Sequence, residues 1–200
     1  KFLHIPKTAG SSIELIGAQN GIKWGERDCG VLARHRPTCG KDVSIRHIPL
    51  NCYELGNPYK DFKVFAVVRN PIERIISAYG FLNRSKKDER NADNLNSWIT
   101  KAFADYENNP SVHTNMILPQ HKFIYYEEPN CTVHHILRFE TVNQDFEKLT
   151  AQYGKPLKMK NIVFKSNSGL TRNNLQEEVL TLIKEFYKKD FELWYPHELI

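Results

Sequence analysis

Residues 62–68, FKVFAVV, form a nearly continuous apolar run of aromatic and β-branched side chains, closed at once by Arg69-Asn70-Pro71. A strand with one wet face alternates apolar and polar residues, whereas a run apolar at successive positions belongs to a strand covered on both faces. Such a strand sits in a largely parallel sheet between layers of helix. Asn70 can cap the helix that follows, and Pro71 suits its first position, where the missing N–H has no intrahelical partner to lose. Ile72, Ile75, Ile76 and Tyr79 recur at three- and four-residue spacing, so the pattern predicts a helix over 71–83.

The chain opens on the same plan. Residues 1–5 read as a strand, 6–10 as a turn and 11–18 as a helix, with Ser11 or Ser12 as N-cap and Glu14 in the first turn to complement the dipole. Further strands are expected at 43–48, 122–126 and 135–138, and a helical turn at 52–55. Helices are expected at 95–106, 112–118, 144–153 and 175–191. Residues 20–42 and 85–94 read as polar connections. The alternation predicts one α/β domain over residues 1–200, with three layers and a central, mostly parallel sheet flanked by helices. Ligands of such sheets bind at the carboxyl ends of the strands, where both turns lie.

The first turn, His4-Ile5-Pro6-Lys7-Thr8-Ala9-Gly10-Ser11-Ser12, gathers a cation, hydroxyls, small residues and a helix start. Amides at a helix N-terminus and its dipole favour an anion, and Ala9 and Gly10 admit oxygen atoms close to the backbone. It is not the G-x-x-x-x-G-K-[ST] loop, because Lys7 precedes the glycine. At the second turn, Arg69 and Ser77 (about two helical turns into the next helix) would grip a second anion. The plainer reading pairs Arg69 with a carboxylate such as Glu73 and leaves Ser77 to packing.

The formal charge of +5 and pI near 8.9 permit a polyanionic partner without requiring one. No apolar run approaches the roughly 18 residues of a membrane span. Four cysteines, Cys29, Cys39, Cys52 and Cys131, include no C-x-x-C pair, which argues against zinc. Cys29 and Cys39 flank a loop and are candidates to pair in an oxidising compartment. Sequons at Asn83 and Asn130 are compatible with secretion. The chain opens at Lys1 inside a predicted strand; if it has been trimmed there, a Golgi or secretory lumen is favoured over the cytoplasm.

H-I-P-K-T-A-G-S-S, followed by F-A-V-V-R-N-P-I-E-R-I-I-S-A-Y, closely resembles the carbohydrate-type sulfotransferases that use PAPS (3′-phosphoadenosine-5′-phosphosulfate). Arg46-His47-Ile48-Pro49, Leu118-Pro119-Gln120, Arg138-Phe139-Glu140 and Lys189-Asp190-Phe191 are similar to further segments of that family, in the expected order. The resemblance implies a P-loop-like sulfotransferase architecture and transfer of a sulfuryl group from PAPS to a hydroxyl, leaving PAP. It implies Lys7, Thr8, Ala9, Gly10, Ser11 and Ser12 around the 5′-phosphosulfate, and Arg69 with Ser77 on the 3′-phosphate. It also implies a saccharide acceptor, with neither metal nor nucleic acid as a partner, and a loop at 165–168, near Arg172, over the nucleotide.

Sulfuryl transfer needs aligned reactants, charge stabilisation at the leaving oxygen, and a base for the acceptor proton. Lys7 suits the leaving oxygen. His47, which matches the family's catalytic-histidine segment, is the expected base; His35, in a basic loop, is the runner-up. His113 and Gln120 are expected to face the acceptor, whereas His4 is expected to pack beside the first strand. Two other readings compete: a nucleotide-dependent phosphotransferase, and a non-catalytic module that binds PAP or a polyanion.

Overall fold

A computed structural model describes residues 1–25, 47–53, 57–108, 115–127, 130–131, 133–159 and 168–199. In chain order the elements are β1 (Phe2–Leu3), α1 (Gly10–Gln19), β2 (Phe65–Val68), α2 (Pro71–Leu82), α3 (Ala92–Asn108), α4 (His121–Ile124), β3 (Tyr125–Glu127), β4 (Asn130–Cys131), β5 (His135–Arg138), α5 (Val142–Gln152), α6 (Glu177–Phe186) and α7 (Lys188–Trp194). Short 3-10 turns lie between several of them. The chain divides into two compact units, Lys1–Arg69 with Gln120–Phe164, and Asn70–Pro119 with Lys165–Ile200.

The first unit is α/β, built on a three-stranded parallel sheet in the order β1-β2-β5. The FKVFAVV run occupies the middle, and all four residues of β2 are buried, as a strand covered on both faces must be. Phe65 and Val67 join Phe2, Leu137, Ile13 of α1 and Phe146 and Leu149 of α5 in one apolar cluster. Burying each large apolar side chain stabilises the unit by about 1.5–3 kcal/mol. The strand is shorter than expected because the chain turns before it: the Phe62 N–H donates to the Tyr59 carbonyl at 3.0 Å, and Phe62 is exposed. Residues 43–46 lie outside the described residues, and Ile48 and Pro49 are not in a strand. The strand expected at 122–126 begins instead as the helical turn α4, with Phe123 N–H bonded to the Gln120 carbonyl, and only then pairs as β3 with β4.

The second unit is helical. Asn70 and Pro71 start α2 as the sequence predicts: Asn70 Oδ1 accepts from the Ile72 N–H at 3.0 Å, and Pro71 takes the first position. Ile72, Ile75, Ile76 and Tyr79 are all buried. Residues 112–114 lie outside the described residues, and 115–118 form turns rather than a helix. Arg74, fully buried, holds that segment by donating to the Met116 and Leu118 carbonyls at 3.2 and 2.9 Å. Burial lowers the Arg74 pKa from its usual value, and Tyr187 and Asp190 oppose that shift. The helix expected over 175–191 breaks at Tyr187, whose hydroxyl donates to the Ile117 carbonyl at 2.6 Å. Phe103 and Phe186 stack at 3.9 Å, so the aromatic tail packs as core. Among the described residues, no helix is long and apolar enough to cross a membrane.

Candidate active site

The two strand-to-helix turns meet at the carboxyl edge of the first unit's sheet. Because β1 and β2 are adjacent and parallel, Leu3 faces Ala66 across the ladder, and the residues that follow emerge side by side. Arg69 Nη1 donates to the Lys7 carbonyl at 3.3 Å. The guanidinium lies over the Phe139 ring, 4.2 Å from its centroid, a contact worth about 0.5–2 kcal/mol. Arg69 is therefore oriented from two sides, by the first turn and by the segment after β5.

The first turn is held in an unusual backbone shape. Lys7 and Ala9 both have positive φ, 68° and 69°, a region that costs a non-glycine residue about 1–3 kcal/mol. Left-handed residues alternating with others turn successive amides toward one side, the arrangement of an anion nest. Thr8, fully buried, stabilises the turn through its hydroxyl, which donates to the Ile5 carbonyl at 2.8 Å. The expected cap is corrected here: α1 starts at Gly10 behind left-handed Ala9, and no side chain caps it. Neither Ser11 nor Ser12 is the N-cap; both stand in the first turn, with Ser12 buried. A helix start without a side-chain cap keeps its dipole directed into the turn, while the Ser12 and Ile13 N–H groups donate to the Ala9 carbonyl at 3.0 and 3.2 Å.

Glu14 likewise departs from expectation. It is buried rather than set at the helix mouth, with Oε1 at 2.8 Å from His4 Nδ1. His4, 4% exposed, stacks beside Phe2 on β1, as its packing role required. Its ring also meets the ring of His47 edge to face, with centroids 4.6 Å apart. The structure thus brings Lys7, the 8–12 turn, Arg69 and His47 into the same unit, at the same end of the sheet.

Gln120 has a different part from the one expected. It is fully buried, its Oε1 accepts from the Arg69 N–H at 2.9 Å, and its Nε2 donates to the Arg69 carbonyl at 2.8 Å. With both ends of its amide on the backbone of Arg69, it braces that residue rather than facing an acceptor. Ser77 lies on α2 in the second unit and is 8% exposed. His35 and His113 lie outside the described residues, as do Arg46, Cys29, Cys39 and the 165–167 part of the expected nucleotide loop. Arg172 is bonded to Glu198 at 2.6 Å within the second unit, and Asn70 Nδ2 donates to the same carboxylate at 2.7 Å. Burial would raise the Glu198 pKa, but these hydrogen bonds hold it below the usual carboxylate value. Cys52 is disulfide-bonded.

The residues missed by sequence reasoning are Phe139 and the His4–Glu14 pair. The R-F-E segment marked Phe139 only as part of a weak motif, and nothing in residue spacing said that its ring would support Arg69. A separate cavity of about 380 Å³ opens at the amino end of the sheet, lined by Trp24, Phe62, Phe65, Leu149 and Leu157 among others. Its surface is mostly apolar, although Lys1, Lys63, Lys155 and His135 also border it, and it includes none of the turn residues. Among the described residues, no three His, Cys, Asp or Glu side chains cluster at metal-ligand spacing.

Searches of the curated proteins and of the solved structures each return no significant match. A family model described as the sulfotransferase family matches residues 1–196, both turns included. With nearly its whole length matched, the chain belongs to the sulfotransferase family, enzymes that draw their sulfuryl group from PAPS.

Proposed function

We propose that this protein transfers the sulfuryl group of PAPS to a carbohydrate hydroxyl by in-line displacement, with His47 as general base. The observation that carries the reading is the meeting of the two turns, with Arg69 bonded to the Lys7 carbonyl beside an uncapped helix start. One nucleotide bearing phosphate at both its 3′ and 5′ positions needs two cationic grips at a fixed separation, and a helix start with no side-chain cap suits the 5′ group.

In this mechanism the turn over residues 8–12 cradles the 5′-phosphosulfate with its amides, and Arg69 takes the 3′-phosphate. The acceptor oxygen attacks sulfur from the side opposite the bridging oxygen. As the new O–S bond forms, the bond from sulfur to the 5′-phosphate oxygen breaks, and the electron pair leaves on PAP. The Lys7 ammonium and the α1 amides stabilise that charge where it develops. The acceptor proton passes to an imidazole nitrogen of His47, histidine being the side chain type suited to exchange a proton near neutrality.

A basic protein suits an acidic saccharide, and the Cys52 disulfide suits an oxidising compartment. The test is transfer of label from [35S]PAPS to a panel of desulfated polysaccharides, simple phenols and steroid alcohols. Label on the polysaccharides supports the proposal. Label confined to phenols or steroids overturns its carbohydrate part.

A further inference from the structure

Glu14 is a carboxylate buried under the sheet edge, and such a group is retained at a cost unless it is paired. Its partner is His4, whose Nδ1 lies 2.8 Å from Oε1; the side chains are 4% and 5% exposed. A carboxylate only accepts, so it selects the tautomer with hydrogen on Nδ1 and fixes the plane of the ring. The surroundings are shaped to this pair. A Cβ at Gly10 would lie 2.0 Å from His4 Cδ2 and Nε2, so only glycine lets the ring reach the loop. Gly25, at φ 59°, passes Glu14 so closely that a Cβ would come within 2.7 Å of Oε1. Phe2 stacks along the ring at 5.6 Å, and His47 meets it at 4.6 Å with the planes at 90°.

We propose that His4 is a positioning residue, wedged between Gly10 of the first turn and the ring of His47, and that Glu14 holds it there. This rests on the reading of His47 as the base. A histidine that merely fills core needs neither a buried carboxylate nor a glycine-lined approach to the loop. One that fixes the spacing between the donor turn and the base needs both. In-line transfer is sensitive to that spacing, since a displacement near 1 Å costs on the order of 100-fold in rate.

The test is a double-mutant cycle on His4→Asn and His47→Ala, with Glu14→Gln and Glu14→Leu alongside. Asn offers an N–H in place of Nδ1–H and so keeps the bond to Glu14 while removing the ring. Turnover is read as release of [35S]sulfate from PAPS, with water as the acceptor hydroxyl and again with a desulfated polysaccharide. PAP affinity is read by calorimetry, and folding by thermal melting. His4→Asn is expected to lower kcat roughly 10- to 100-fold, with KM for PAPS and the PAP Kd held within about twofold. In the His47→Ala background the same change is expected to cost nothing further. Glu14→Gln, which keeps the accepting oxygen, should retain most of kcat; Glu14→Leu should lose it as His4→Asn does.

Unchanged kcat in His4→Asn overturns the proposal, and so does an equal loss with and without His47, which would mean that His4 serves only packing. If His4→Asn fails to fold, the contrast between Glu14→Gln and Glu14→Leu decides: equal kcat in both overturns the proposal. Full activity in His47→Ala refutes the base assignment, and the positioning role with it. That result is distinct from a His47→Ala variant that is inactive while His4→Asn is not.

Discussion

Replacing Gly10 with alanine tests how tightly the first turn is fitted. The new methyl would lie 2.0 Å from two atoms of the His4 ring and 2.6 Å from a third, against about 3.4 Å for ordinary contact. Something must move by roughly 1.4 Å. The ring cannot rotate away cheaply, since Glu14, Phe2 and His47 surround it. Overpacking of this kind costs about 1–3 kcal/mol, which in a chain of this size lowers Tm by about 2–12 °C. A shift of that size at the donor turn should also lower kcat on the order of 100-fold. The assay is a thermal melt together with sulfate release from [35S]PAPS. Because the proposed cause is a collision with one ring, adding Gly10→Ala to His4→Ala should cost no further stability and should return about a few tenths of a kcal/mol through helix propensity. A wild-type melt and turnover in Gly10→Ala would refute the argument, as would an undiminished penalty in the His4→Ala background.

Two further outcomes follow from the hydrogen bonds at the turn ends. Gln120→Leu strips both partners from the Arg69 backbone and should destabilise by about 1–3 kcal/mol, weakening PAP binding without any contact to nucleotide; calorimetry and melting of that variant check it. Glu198→Gln probes the second unit, where the folded carboxylate has a depressed pKa. A depressed carboxyl contributes stability above its unfolded value, near 4.3, and that contribution fades as pH falls through the lower folded value. The Tm gap between the wild type and Glu198→Gln should therefore be present at neutral pH and shrink in acid, and a gap that widened in acid would contradict the ion-pair account.

How much of this was legible beforehand differs from element to element. Phe65–Val68 and Asn70-Pro71 announce themselves, because a doubly covered strand and a proline-started helix each follow from local chemistry. The segment 122–126 did not, since a short apolar stretch fits a helical turn as well as a strand, and the Gln120 carbonyl decides it. The amphipathic pattern of 175–191 runs through Tyr187 without interruption. Its break falls at Tyr187, whose side chain bonds to Ile117, 70 residues away. At the candidate site, the placement of Lys7 and Arg69 beyond two strand ends was readable from the sequence. The left-handed torsions of Lys7 and Ala9 were not, because no residue preference favours them and only the surrounding fit imposes them. Serines ahead of an apolar run suggested a cap, yet the helix starts sooner, with Gly10 packed under His4. The Glu14–His4 bond joins residues ten apart on a helix and a strand end, and periodicity carries no information about such a pair.

In the proposed complex one nucleotide is gripped at both phosphate ends by Lys7 and Arg69, and calorimetric titration of PAP measures that most directly. PAP should bind the wild-type chain with a Kd below about 1 mM and without preference for Mg-ATP. Arg69→Ala should weaken PAP roughly 10- to 100-fold, as loss of a charge-assisted hydrogen bond implies. Equal PAP affinity in wild type and Arg69→Ala, or binding of Mg-ATP in place of PAP, would contradict it.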